Sequence, residues 1–205
     1  MGRLIATEEE ILMANEIRLD RRVAIVTGAG AGLGRSHALL LAARGAKVVV
    51  NDLGGQVDGT GTSRAAADAV VAEIRAAGGE AVPNYDTVAT PQGAQSILKT
   101  ALDAYGTVDI VVNNAGILLY KRLLEHTPED FAINLDVHLK GSYYLSTAAF
   151  SIMKDKRYGR FVFTSSSGGM RGSADGVAYG AAKAGVVGLA NVMALAGTPH
   201  ASTPT

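Results

Sequence analysis

The sequence predicts an α/β fold with a doubly wound parallel sheet. Five short runs rich in valine and isoleucine, at 22–27, 47–52, 80–85, 108–114 and 160–166, are separated by longer stretches with a helical pattern. Strands that alternate with helices are typical of a parallel sheet covered by helices, and runs that are apolar throughout are typical of strands buried on both faces. We therefore expect all five strands to lie inside the domain.

Helical patterns connect these strands. Three of them, at 33–44, 63–77 and 92–105, are each followed directly by a glycine, which ends helices because it adopts the left-handed backbone conformation without strain. TPED at 127–130 is typical of a helix start, with a capping threonine, a proline in the first turn and acids near the positive end of the helix dipole. A last helix is predicted at 176–196.

Composition limits the class of protein. The chain has 205 residues, with 19 basic and 19 acidic residues and no cysteine. This length suits one domain, which we place at 21–196, after an N-terminal extension at 1–20 and before an irregular tail at 197–205. The balanced charge gives no signal for nucleic acid, and no apolar run approaches the roughly 18 residues that span a bilayer, so we expect neither nucleic acid nor a membrane as partner. Without cysteine, and with scattered histidines, we expect no metal and a cytoplasmic protein.

Four glycines follow the first predicted strand, in the sequence TGAGAGLG at 27–34. Their spacing is GxxxGxG, through Gly28, Gly32 and Gly34. Gly28 would permit a tight exit from the strand, Gly32 a close approach of the backbone to a pyrophosphate, and Gly34 close packing of helix on sheet. The helix that follows would offer free N–H groups to phosphates. The loop favours a dinucleotide-binding Rossmann fold, although such loops also occur without a ligand.

The second predicted strand ends at Asp52, where a dinucleotide site expects an acid. A carboxylate there accepts hydrogen bonds from the ribose hydroxyls of NAD and repels the 2′-phosphate of NADP. The glycine loop holds no lysine or arginine that would offset this charge, and we interpret Arg35, just after it, as a surface charge. Asp52 could also be an ordinary loop acid, but together with the glycines it predicts NAD as the cofactor.

Tyr179 and Lys183 are four residues apart in the last predicted helix and therefore share one of its faces. Ser166 ends the fifth predicted strand, 13 residues before the tyrosine. A lysine ammonium beside a tyrosine lowers the pKa of the phenol, so the phenolate can take a proton from an alcohol while a nicotinamide takes the hydride. The serine hydroxyl would hold the substrate oxygen. The set predicts an oxidoreductase that interconverts a secondary alcohol and a ketone.

These motifs, with NNAG at 113–116 and TSSS at 164–167, resemble the short-chain dehydrogenases/reductases over roughly residues 20–195. VVVNDLGG, NNAGIL and VHLKGS are most similar to the group that oxidises (3R)-hydroxyacyl-CoA with NAD, the multifunctional enzymes of type 2 and their bacterial relatives. The resemblance implies catalytic roles for Ser166, Tyr179 and Lys183. It also implies cofactor contacts at Gly28, Gly32, Leu33, Gly34, Asp52, Asp86, Thr87, Val88, Asn114, Gly116, Tyr179 and Lys183.

His138 stands where most of the family has an asparagine that anchors a water in the proton relay, and the hydroxyacyl-CoA group also has VHL here. A histidine can relay a proton, or it can be a helix residue without such a role, and both interpretations stay open. LLYKR at 118–122 and SSGGMRGSADGVA at 166–178 depart from that group's pattern near the expected substrate position. The candidate substrates that we expect are a 3-hydroxyacyl-CoA and an alicyclic or steroid-like alcohol.

Family members continue past the last predicted helix with further strands and a substrate lid, while this sequence ends in ANVMALAGTPHASTPT. We therefore expect a C-terminally truncated chain whose sheet lacks its usual last strands and exposes an apolar face and a sheet edge. The resemblance implies a homodimer through the helices at 128–154 and 176–196, and no larger assembly. The alternative function is a catalytically incompetent nucleotide-binding remnant.

Overall fold

The computed structural model describes residues 17–56 and 58–198. Most of the predicted N-terminal extension and irregular tail lie outside these residues. The described chain forms one parallel sheet in the order β3-β2-β1-β4-β5, which confirms the predicted doubly wound α/β fold. Its strands are β1 Val23–Thr27, β2 Lys47–Asn51, β3 Ala81–Asn84, β4 Ile110–Asn113 and β5 Arg160–Phe163.

Helices alternate with these strands. Each helix that the sequence predicted begins and ends within two residues of its expected position. The short helix after β5 was not predicted. A π-helical segment, Leu135–Lys140, interrupts the long helix predicted from residue 127. The helices are α1 Gly32–Ala43, α2 Ala65–Ala76, α3 Pro91–Tyr105, α4 Pro128–Asn134, α5 Gly141–Asp155, α6 Ser167–Arg171 and α7 Val177–Gly197.

Local sequence explains where α3 begins and ends and where α4 begins. The Thr90 hydroxyl accepts a hydrogen bond from the Gly93 N–H at 3.1 Å and caps α3, which ends at Gly106 with a left-handed φ of 76°. Thr127 and Asp130 form the reciprocal capping box at the start of α4. These bonds satisfy backbone groups that a helix end leaves without partners.

Two apolar clusters cover the sheet, one on each face. On one face Ala38 of α1 and Ile74 of α2 pack on the sheet, and on the other Ile97 of α3 and Leu145 of α5 do so. Every residue of β1, between the two clusters, is buried. Helices on both faces therefore bury the centre of the sheet, as parallel strands require.

The edge strands differ from the centre. In β3, Val82 and Pro83 are half-buried, while in β5 Arg160 and Val162 are exposed, Val162 by 46%. The expectation that all five strands are buried on both faces is therefore wrong for the edges, and most clearly for β5. The reason is position, because no strand in the described part of the chain pairs with the outer edge of β5.

Helix α7 has the length and apolar composition of a membrane-spanning helix, with 21 residues and a mean hydropathy of 1.3. Our expectation that no stretch reaches this length is wrong, because alanine, glycine and valine fill the helix around the single charged residue Lys183. Core helices of water-soluble domains meet the same criterion. The helix packs on α6 and the π-helical segment through one face, which includes Ala182 and Val186.

Candidate active site

The predicted site residues meet at the carboxyl edge of the parallel sheet. After β1 the chain continues towards the β2 side, and after β4 towards the β5 side, so a crevice opens between the two strands. Ligands of open α/β sheets bind at such a crevice. The glycine loop lies on the β1 side of it, and the NNAG segment lies on the β4 side.

The glycine loop has the geometry that its spacing predicts. Gly28 and Gly32 adopt left-handed φ values of 61° and 53°. A Cβ on Gly34 would lie 2.0 Å from the carbonyl oxygen of Gly28, so only glycine allows α1 to lie this close to the end of β1. A Cβ on Gly32 would meet nothing within 4 Å, and Leu33 beside it is exposed. No side chain caps the start of α1, so side-chain capping leaves its N-terminal amides available to a ligand.

The Asp52 carboxylate lies against this loop at the end of β2. One of its oxygens accepts a hydrogen bond from the Gly30 N–H at 2.7 Å, and the other accepts one from the Gly54 N–H at 2.6 Å. Gly30 was not among the predicted residues, although a Cβ there would lie 2.8 Å from the carboxylate and 2.7 Å from the Ala66 side chain. The sequence did hold a signal for Gly30, because it is the one glycine of TGAGAGLG that the GxxxGxG spacing does not use.

Asp86, Thr87 and Val88 follow β3 on the same side of the crevice. The Asp86 carboxylate accepts hydrogen bonds from the Ser96 hydroxyl at 2.7 Å and from the Asn84 amide at 2.9 Å. These bonds involve the same oxygen, so the other oxygen keeps its acceptor capacity. Val88 is buried in the core, and Thr87 is half-buried. Of the three residues, Asp86 therefore offers a carboxylate oxygen to a ligand.

Thr27, which we did not predict, holds the two sides of the crevice together. Its hydroxyl donates to the Val112 carbonyl at 3.3 Å and accepts from the N–H groups of Asn114 and Ala115, each at 3.0 Å. The Asn114 side-chain amide donates in turn to the carbonyl groups of Thr27 and Gly28, at 3.0 and 3.2 Å. Asn114 thus fixes the glycine loop against the NNAG segment. The position of Thr27, directly before the first glycine of the loop, was the sequence signal that could have identified it.

Lys183 is the buried charge of the site, with 4% of its surface exposed. Its ammonium donates to the Thr164 carbonyl at 2.6 Å and lies 5.7 Å from the centre of the Tyr179 ring. Burial lowers the pKa of Lys183 to about 8, because desolvation disfavours the ammonium. The structure therefore brings Tyr179 and Lys183 together on one helix face, as their spacing predicted.

Ser166 lies beside Tyr179 at the start of α6. Its hydroxyl accepts from the Gly168 N–H at 3.1 Å. A Cβ on Gly168 would lie 3.5 Å from that hydroxyl and 3.6 Å from the Tyr179 ring, so the serine and the tyrosine flank the same glycine. The neighbouring Ser165 donates to the Lys183 carbonyl at 3.1 Å, which ties the end of β5 to α7.

His138 completes the cluster from the π-helical segment. Its Nε2 lies 2.8 Å from the Ile117 carbonyl oxygen, and its ring meets the Tyr179 ring edge-on at 5.2 Å between centres. Burial, and then the charge of Lys183, lower the pKa of His138 to about 4, so the imidazole is neutral near pH 7. A Cβ on Gly116 would lie 2.4 Å from the ring, which explains the glycine there. Both roles considered for His138 remain predictions.

The donor set fits a nicotinamide dinucleotide. The open N-terminus of α1 suits a pyrophosphate, and the Asp52 and Asp86 carboxylates suit the hydroxyl and amino groups of adenosine. Across the crevice, a phenol, a hydroxyl and a buried ammonium lie together where an alcohol could react. The arrangement can move a proton at one end of the crevice and bind a dinucleotide along it.

Comparison with known proteins gives the same picture. The family model of the short chain dehydrogenases matches residues 22–201. Peroxisomal multifunctional enzyme type 2 of Drosophila melanogaster is 55% identical over 182 residues, which are 89% of this chain and 30% of that protein. The 3-oxoacyl-[acyl-carrier-protein] reductase of a Synechocystis strain is 41% identical over 176 residues, which are 86% of this chain and 68% of that protein. The chain thus spans less than a third of the multifunctional enzyme.

Solved structures agree. The crystal structure of a short chain dehydrogenase from Mycobacterium avium superposes with a TM-score of 0.78 and 43% sequence identity, over 86% of this chain and 63% of that one. Full-length peroxisomal multifunctional enzyme type 2 from Drosophila melanogaster superposes with a TM-score of 0.72 and 44% identity, over 88% of this chain and 29% of that one. Fold and sequence therefore point to the same family.

Proposed function

The chain belongs to the short-chain dehydrogenase family, and on that premise we propose that it is an NAD-dependent oxidoreductase that interconverts a secondary alcohol and a ketone. The observation that carries the proposal is the cluster of Ser166, Tyr179 and the buried Lys183 beside an open glycine loop. A structural helix has no need for a lysine that is desolvated and held by one backbone carbonyl. Perturbed titrating groups in a crevice are typical of catalysis.

Proton transfer follows from this cluster. Near pH 7 the Lys183 ammonium, with its pKa near 8, is largely protonated and places a positive charge 5.7 Å from the centre of the Tyr179 ring. Ser166 would hold the substrate oxygen by a hydrogen bond while Tyr179 takes the hydroxyl proton, and the phenol would return that proton to a carbonyl in the reverse direction. The nicotinamide, when bound, supplies the site that accepts or donates the hydride. His138, neutral at this pH, would hold the Ile117 backbone beside the tyrosine.

Preference for NAD rests on Asp52. Each oxygen of its carboxylate accepts one backbone N–H and keeps a second lone pair for a ribose hydroxyl. The same charge would repel a 2′-phosphate. Arg35 is paired elsewhere: one terminal nitrogen of its guanidinium donates to both carboxylate oxygens of Glu73, at 2.6 and 2.7 Å.

The substrate class follows from the relatives as a proposal. The name of the Synechocystis relative indicates a 3-oxoacyl thioester, which supports a 3-hydroxyacyl-CoA substrate here, with an alicyclic or steroid-like alcohol as the other candidate. We predict a cytoplasmic location. The peroxisome is the alternative compartment, because several relatives are named peroxisomal enzymes. We also propose a homodimer through the helices at 128–154 and 176–196, which size-exclusion chromatography would test.

A second candidate is a nucleotide-binding protein without turnover. The observation that favours it is the exposure of β5, the strand that leads to Ser166. Both candidates predict that NADH raises the midpoint of thermal unfolding more than NADPH does, because a ligand that binds the native state stabilises it. Only the first predicts turnover.

Turnover therefore tests the proposal. Oxidation of a panel of secondary alcohols and 3-hydroxyacyl-CoA esters should proceed with NAD, and Tyr179→Phe should lower kcat by at least about a hundredfold through loss of the proton acceptor. The variant should keep the NADH-induced rise in the midpoint. A wild-type protein that binds NADH without any turnover would establish the second candidate.

A further inference from the structure

We propose that Tyr120 forms the apolar wall of the substrate site and selects alcohols with a rigid alicyclic ring system at the reacting carbon. The inference rests on the proposed dehydrogenase function and assigns a substrate class to its site. It concerns the segment LLYKR, where the sequence departs from the hydroxyacyl-CoA group.

The Tyr120 ring lies directly beside the catalytic tyrosine. The two ring centres are 5.9 Å apart, with the planes tilted by 49°. A Cβ on Gly176 would lie 3.5 Å from the edge of the Tyr120 ring, so the ring packs over the start of α7 where no side chain intervenes. Yet 53% of Tyr120 is exposed. One side of the ring is therefore held, and the rest is open next to Tyr179.

Bonds on both sides of Tyr120 fix its position. On one side the Lys121 N–H donates to the Asp175 carbonyl at 3.0 Å, and the Lys121 ammonium donates to the Asp130 carboxylate at 2.6 Å. On the other side Ile117 is held by His138. Only two residues lie between Ile117 and the tyrosine. A ring anchored this closely can act as a preformed wall, since little side-chain freedom is lost when a ligand packs on it.

The neighbouring side chains indicate an apolar ligand. Leu118 on the same segment and Leu123 just after it are exposed. The Lys121 ammonium is paired with the Asp130 carboxylate at 2.6 Å. Exposed aromatic and aliphatic groups beside polar catalytic groups are typical of sites that orient an apolar substrate by one polar atom. A rigid alicyclic ring would pack its C–H groups against the Tyr120 ring while its hydroxyl lies near Tyr179.

Steady-state kinetics with two alcohols tests this assignment. For trans-1-decalol with NAD, Tyr120→Ala should lower kcat/KM about tenfold, equivalent to about 1.4 kcal/mol, mainly through KM. For 2-butanol the same variant should change little, because this alcohol carries no ring. Tyr120→Phe should keep the decalol activity. The matched control is Tyr143→Ala, since Tyr143 is 49% exposed and contacts the ring of Tyr144 on α5. Equal losses for both alcohols, or none for decalol, would overturn the assignment.

A binding measurement separates this inference from the dehydrogenase proposal. Saturation-transfer NMR with trans-1-decalone on the full chain, with and without NADH, needs no turnover. If Tyr120→Ala binds decalone about tenfold more weakly than the wild type does, Tyr120 contacts the ring even when no alcohol is oxidised. If the wild type fails to bind decalone, or the variant binds it equally well, Tyr120 is not the wall, whatever the turnover shows.

Discussion

The half of the sheet around β1 and the edge at β5 are built differently, although the candidate site needs both. Every residue of β1 is buried between helices on two faces, whereas no residue of β5 is. A groove of about 810 Å³ lies over β5 between α5 and α7. Its lining includes Phe150, Met153, Phe161, Phe163 and Met193.

Each half carries a different part of the site. The glycine loop and Asp52 belong to the buried half, where apolar packing and the Thr27 bonds position them. Lys183 and Ser166 belong to the β5 edge, where two hydrogen bonds, from Lys183 to the Thr164 carbonyl and from Ser165 to the Lys183 carbonyl, connect strand and helix. We therefore expect cofactor binding and global stability to depend on the first half, and turnover to depend on a few polar contacts in the second.

The largest expected difference between the halves is in the cost of removing a strand side chain. Ile25 of β1 is completely buried, so Ile25→Ala should lower the free energy of unfolding by about 4 kcal/mol through lost burial and a cavity. Val162→Ala on β5 should cost less than about 1 kcal/mol, because the side chain is already half in water. Urea unfolding of the two variants measures this. Similar losses would show that β5 is covered in solution.

Glycine-to-alanine substitutions in the two halves should change the free energy of unfolding in opposite directions. In Gly34→Ala the new Cβ would meet the Gly28 carbonyl oxygen, a backbone atom that cannot move away, and should destabilise the protein by about 3 kcal/mol and abolish the response to NADH. Gly188→Ala in α7 meets nothing within 4 Å and should stabilise by about 0.7 kcal/mol through helix propensity. Thermal unfolding with and without NADH reports both effects. A destabilising Gly188→Ala would reveal a close neighbour of α7 in solution.

The sequence predicted the first half better than the second, for a physical reason. Local signals determine the glycine loop and β1, because tight turns require glycine and buried parallel strands require apolar runs. The spacing of Tyr179 and Lys183 likewise follows from helix geometry alone. These features were visible without any knowledge of neighbouring strands.

Other features depend on partners that are distant in sequence. The exposure of Val162 depends on what lies beside β5. The apolar sequence of a parallel strand does not show whether that strand lies at the edge or in the centre of the sheet. The position of Tyr120 depends on its packing against Gly176, 56 residues later in the chain. The π-helical segment that carries His138 has no distinctive local sequence. Tertiary contacts decide all three, so periodicity could not predict them.

A third expected effect, smaller than those of Ile25→Ala and Gly34→Ala, concerns His138 at the boundary between the halves. Its pKa is about 4 in the folded protein and about 6.5 in the unfolded chain, so between these values only the unfolded chain binds the proton. Acid therefore favours unfolding: the stability present above pH 6.5 is lost as the pH falls towards 4 and changes no further through this group below that. At about 1.4 kcal/mol per pKa unit, His138 should account for a loss of about 2 kcal/mol between pH 7 and pH 5.

Urea unfolding of the wild type and His138→Asn at pH 7 and pH 5 isolates this contribution. The variant is expected to be less stable at pH 7, but its stability should fall by about 2 kcal/mol less than that of the wild type on going to pH 5. His37→Asn in α1 is the control and should keep the wild-type dependence. If His138→Asn also keeps it, the imidazole reaches water or a partner for its proton, and the boundary between the two halves is more open than the packing of His138 against Tyr179 and Gly116 indicates.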